Sequence, residues 1–119
     1  MEKSMNDNVI ENKSFDFAVR IVNLHKHLSS DKKEFVLSKQ LLRSGTSIGA
    51  NVSEALRGQS KADFSAKMCI ALKEANESHY WIRLLYKTDF LTEQEFNSIE
   101  NDIVELIKIL SSICKTSTK

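Results

Sequence analysis

Residues 64–85 read Phe64-Ser65-Ala66-Lys67-Met68-Cys69-Ile70-Ala71-Leu72-Lys73-Glu74-Ala75-Asn76-Glu77-Ser78-His79-Tyr80-Trp81-Ile82-Arg83-Leu84-Leu85. Within them Phe64, Met68, Ala71, Ala75, Ser78, Ile82 and Leu85 alternate steps of four and three without a miss. An α-helix turns once every 3.6 residues, so these seven positions share one face. Upstream, Ser60-Lys61-Ala62-Asp63 resembles a capping box with Asp in the third place, which sets the start of this helix. Downstream, Thr92-Glu93-Gln94-Glu95 is a full capping box, and Phe96, Ile99, Ile103, Leu106, Leu110 and Ile113 follow at helical spacing. Before residue 60, Leu37, Leu41, Gly45, Ile48, Val52 and Ala55 stripe a helix predicted over about residues 33–57, with Gly58 placed to close it as a left-handed cap. A first helix is predicted over about residues 14–29, capped by Ser14, with Ala18, Ile21, Val22, His25 and Leu28 on one face.

The 119 residues hold no proline and only three glycines, too few turn residues for a protein built from short strands. Four amphipathic helices with short connections predict an all-α, antiparallel up-down-up-down four-helix bundle. The expected division is a flexible N-terminal arm over residues 1–12, the bundle over 13–115, and a polar tail over 116–119. An apolar share of 41% is enough for a core and excludes disorder along the whole chain. No apolar run approaches the ~18–20 residues of a membrane helix, and no apolar segment follows the polar start, so no membrane partner and a cytoplasmic location are expected. Cys69 and Cys114 form no CxxC and no disulfide framework, and ordinary helix positions are expected for both.

The stripes of the second and third helices are wider than a monomeric bundle needs. Their extra flanks, Leu42, Gly49 and Leu56 on one and Ile70, Trp81 and Leu84 on the other, are candidates for a subunit interface. Gly45 and Gly49 cost about 1 kcal/mol each in a helix interior relative to alanine. Their spacing of four suggests a place where a neighbouring backbone comes close. Arg43, Ser47, Asn51 and Glu54 line a polar flank that Glu74 and Glu77 can meet, an expected interhelical network.

Net charge is +1, so no bulk charge draws the chain to nucleic acid. The distribution is uneven, however. Residues 31–67 hold seven Lys/Arg against four acids, a local +3, and residues 89–107 hold six acids and no base, a local −6. Lys32, Lys33, Lys39, Arg43, Arg57, Lys61 and Lys67 are the candidate nucleic-acid contacts. Glu74/Glu77 and Asp102/Glu105 are acid pairs three apart, as in all-α nucleotide pyrophosphatases. Asp102 and Glu105 fall away from most of the apolar stripe of their helix, and surface charge is the expected role. None of the three histidines has Glu three residues before it, and no nucleophile motif is present, so no catalytic residue, metal or cofactor is expected.

Gln40-Leu41-Leu42-Arg43-Ser44-Gly45-Thr46-Ser47-Ile48-Gly49-Ala50-Asn51-Val52-Ser53-Glu54-Ala55 resembles the signature of the 23S rRNA intervening-sequence proteins, often called simply four helix bundle proteins. A second block is similar to one branch of that family: Ser60, Asp63-Phe64, Lys67-Met68, Ile70 to Ala75, Glu77, Tyr80-Trp81 and Leu84-Leu85. The match covers about residues 35–113. The resemblance implies an antiparallel four-helix bundle in a ring-like homopentamer. A related protein, the accessory factor of diversity-generating retroelements, is a basic pentamer that binds nucleic acid; this chain departs from it in its near-neutral charge. The family carries no accepted catalytic residues. The leading expectation is a non-enzymatic homo-oligomer, a pentamer, that assists RNA or DNA. The rivals are a protein-interaction scaffold without a nucleic-acid role and a metal-dependent nucleotide hydrolase.

Overall fold

A computed structural model describes residues 5–119, with side chains from residue 7 onward. Four helices follow in order: α1 (Met5–Ser30), α2 (Val36–Leu56), α3 (Lys61–Lys87) and α4 (Glu93–Ser117). Each packs antiparallel on the next, and a thinner α1–α4 seam closes the bundle, so α1 and α3 stand diagonally across it. The molecule measures 44 × 20 × 19 Å. Met68, Ala71, Ala75, Ile82 and Leu85 of α3 are fully buried, so the stripe that decided the fold does line the core. They meet Leu41, Ile48 and Val52 of α2, and Ile99, Ile103, Leu106 and Leu110 of α4.

The helix starts follow from local chemistry. Ser60 Oγ accepts from the Asp63 amide, and Thr92 and Glu95 form the complete reciprocal box. These caps satisfy amides that the helices leave unpaired. The α3–α4 turn closes through Asp89 at φ 69°, with the Asp89 amide donating to the Tyr86 carbonyl and the Phe90 amide to the Leu85 carbonyl. That is a Schellman closure with aspartate in the left-handed place.

Five expectations are corrected. First, α1 starts at Met5, so residues 5–12 are helix rather than an arm; residues 1–4 lie outside the described residues. Ile10 is fully buried one turn before Ser14, and Ile10, Ser14, Phe17 and Ile21 continue the core stripe. Second, α2 starts at Val36, because Lys33 takes φ 56° and breaks the helix. The buried Glu34 carboxylate then accepts from the Val36 and Ser38 amides at 3.2 and 2.7 Å and does the capping. Third, Gly58 does not have a positive φ. A Cβ there would stand 2.2 Å from Asp63 Oδ2, the tip of a side chain that can turn aside, and 3.3 Å from the Ala55 carbonyl oxygen. Fourth, α4 runs on to Ser117, into the expected tail. Fifth, Cys69 and Cys114 are joined in a disulfide, with Cα atoms 5.1 Å apart.

Candidate interaction surfaces

The α2–α3 seam carries the polar network. Arg43 Nη1 donates to Glu74 Oε2 at 3.2 Å, and Arg43 Nη2 to Glu77 Oε2. The Trp81 indole, one turn on, donates to the same Glu77 oxygen at 3.0 Å. That bond, followed by the Arg43 guanidinium, holds the Glu77 carboxyl below the usual glutamate range against an opposing push from burial. The same pairing raises Arg43 further above its ordinary value. Ser47 and Asn51 stay out of the network, for their side chains donate back to the carbonyls of Arg43 and Ser47. Glu54 pairs instead with Lys67 at 3.7 Å. Beneath the seam the Ser44 and Ser78 hydroxyls, both fully buried, hydrogen-bond at 2.9 Å across the two helices.

The seven candidate basic residues do not form one belt. Arg43 is tied to Glu74 and Glu77, Arg57 to Glu11 at 3.2 Å, and Lys67 to Glu54. Lys32, Lys33 and Lys39 are exposed around the α1–α2 turn, and no carboxylate among the described residues lies within ion-pair distance of them. Arg57 and Lys61 stand at the other end of α2, about 31 Å away at ~1.5 Å per residue. The acid pairs are engaged too: Asp102 with Arg20 at 2.7 Å and Glu105 with Lys13 at 3.0 Å.

The apolar candidates divide. Gly49 is an internal contact, where a Cβ would stand 3.2 Å from the Ser14 carbonyl oxygen, and one at Gly45 would meet Ile21 at 3.0 Å. Leu42, Leu56 and Trp81 are half-buried against the core. Ile70 is 42% exposed and Leu84 half-buried. Several exposed apolar residues lie outside the sequence-based candidates: Phe15 at 67% and Val19 at 48% on α1, Phe35 at 57%, Val36 at 71% and Tyr80 at 54%. Helical spacing groups them. Phe15, Val19 and Val22 recur at i, i+4 and i+7 on the outer side of α1. Val36 shares the face of Arg43 seven residues on, and Arg43 reaches Glu77, itself seven residues from both Ile70 and Leu84. An exposed apolar stripe results on α1, and on the α2–α3 seam the exposed Val36 and Ile70 flank the polar network.

This architecture has known counterparts. The family model described as 23S rRNA-intervening sequence protein matches residues 6–112. No curated protein matches the chain. A crystal structure at 1.70 Å of a protein of unknown function from the S23 ribosomal protein family, from Bacteroides thetaiotaomicron VPI-5482, superposes with a TM-score of 0.91. It is 58% identical over 93% of this chain and 99% of that one. Both the sequence match and the shared fold span nearly the whole bundle, and the chain belongs to the 23S rRNA-intervening sequence protein family.

Proposed function

We propose that this protein is a non-enzymatic homo-oligomer, assembled as a ring of five, that serves as an accessory factor to nucleic acid. The observation that carries the assembly is a pair of unlike surfaces with exposed apolar residues, Phe15 and Val19 on α1, and Val36 and Ile70 flanking the Arg43–Glu77 pair on the α2–α3 seam. Burying apolar surface stabilises by about 25 cal/mol per Å², so two such faces favour contact with a partner. Because the surfaces differ, docking one on the other between identical copies is heterologous, and a heterologous contact that closes makes a ring. The number five is what the family resemblance implies.

The nucleic-acid half of the reading is supported by Lys32, Lys33 and Lys39, which are exposed at one end of every subunit and in no ion pair among the described residues, although Lys32 lies near enough to Glu95 to help lower that carboxyl. Engagement of Asp102 and Glu105 by Arg20 and Lys13 favours surface roles for those carboxylates over metal chemistry. The test is a salt titration of RNA and single-stranded DNA binding by wild type and by Lys32→Ala/Lys33→Ala/Lys39→Ala. Removing one lysine–phosphate pair flattens the logarithmic salt slope by about one, so the triple variant is expected to bind more weakly and with a slope shallower by up to about three. No binding at low salt, or equal binding by the variant, favours a scaffold for protein partners instead.

A further inference from the structure

Cys69 and Cys114 sit on the outer side of the α3–α4 seam, half-buried, away from the core contacts that hold the two helices together. Met68, Ile103, Leu106 and Leu110 make those contacts and are fully buried. The 5.1 Å Cα separation is therefore set by core packing, within the span a disulfide bridges. Beyond Cys114 the last turn of α4 is tied to α3 by little else: Ser117 Oγ reaches Ser65 Oγ at 3.1 Å. Beside it an open groove of about 340 Å³ lies among Lys61, Phe64, Ile113 and Ser117. The cross-link thus stands near the end of the helix pair remote from the α3–α4 turn.

We propose that Cys69 and Cys114 are a reversible redox modification site. Its substrates are low-molecular-weight disulfides and thiols, and its state sets how firmly the C-terminal end of α4 is held to α3. Oxidation proceeds by exchange. One cysteine thiolate attacks a small disulfide RSSR, forming a mixed disulfide and releasing RS⁻. The second thiolate attacks the protein sulfur of that mixed disulfide, releasing the second RS⁻. The sum is two cysteine thiols plus RSSR giving the protein disulfide and two RSH, and reduction is the reverse. Neither cysteine residue is fully buried, and a small reagent is the kind that can approach such a site. The packed helices keep the two thiols facing, so the couple turns over without unfolding.

The test equilibrates the full-length protein in buffers of reduced and oxidised glutathione, traps free thiols by alkylation, and counts them by mass. Amide hydrogen exchange is read on the same samples. The expected result is full, reversible interconversion, unchanged helix content, and exchange at least tenfold faster over residues 111–118 in the reduced form. Cys69→Ser should show the fast exchange under all conditions, and wild type with excess reductant gives the same comparison without a substitution. Thiols that never pair in oxidised glutathione overturn the proposal. Exchange unaltered by redox state, or reduction that unfolds the whole bundle, does so equally.

Discussion

Gly49 on α2 lies directly over the backbone of Ser14 on α1, so that a Cβ on the glycine would sit 3.2 Å from the Ser14 carbonyl oxygen and 3.4 Å from its carbonyl carbon. The neighbour is main chain inside a helix, which cannot swing aside as a side-chain tip does. Gly49→Leu should therefore push α1 from α2 and destabilise by about 1–3 kcal/mol, read as a lower midpoint in urea at fixed protein concentration. Gly49→Ala sets the same crowding, in smaller measure, against about 1 kcal/mol of gained helix propensity, and should fall between wild type and leucine. Melting of Gly49→Leu at the wild-type midpoint would put the glycine outside the packed seam.

Across the α2–α3 seam, the Ser44–Ser78 hydroxyl bond is buried and ties two helices. Either alanine substitution should cost about 1 kcal/mol. The double substitution should cost less than the sum of the two, because the second removes a hydroxyl that has already lost its partner across the seam and keeps only a carbonyl of its own helix. Strict additivity in the mutant cycle would show that the two hydroxyls are not coupled.

Glu77 gives the bundle a pH dependence whose sign is fixed. Its folded-state pKa is depressed, chiefly by the Trp81 indole and then by Arg43. The stabilisation is thus present above the ordinary glutamate range and is lost as pH falls through it towards the depressed value. Trp81→Phe removes the leading cause and keeps most of the ring. A carbon-13 titration of the Glu77 carboxyl should then move upward, towards an ordinary glutamate. An unmoved titration would mean that Arg43 alone holds the carboxylate.

The third helix and the caps at Ser60 and Thr92 were legible because each signal is local: a stripe at period 3.6 and an oxygen three residues from its amide. Gly45 and Gly49 were legible because two glycines within a helix need a reason. The start of α1 was hidden although Ile10, Ser14, Phe17 and Ile21 keep helical spacing, since Val9 and Ile10 are the only apolar residues among 6–14. The disulfide was invisible because the cysteines are 45 positions apart on a helical hairpin whose register no local signal states. The basic window looked like a patch because closeness in sequence is not closeness in space. A helix of 21 residues carries Lys39 and Arg57 towards opposite ends. Phe15 and Val19 did not stand out because they lie behind the core stripe of α1, off the face that periodicity marks as buried.

The two apolar faces lead to a mixing experiment. Phe15→Asp/Val19→Asp spoils the α1 face, and Val36→Asp/Ile70→Asp spoils the α2–α3 face. Each variant alone should be a monomer at micromolar concentration. Mixed in equal amounts, they should form a one-to-one dimer, because each supplies the face that the other lacks. Dimers formed by one variant alone would show an isologous contact through a single face.

Light scattering coupled to size exclusion, on the wild-type chain at micromolar concentration, tests the assembly most directly. The account predicts a single species near five times 13.6 kDa, reduced to one chain when either face carries aspartates. A wild-type mass of 13.6 kDa would contradict it, leaving both apolar faces without a partner of the same chain.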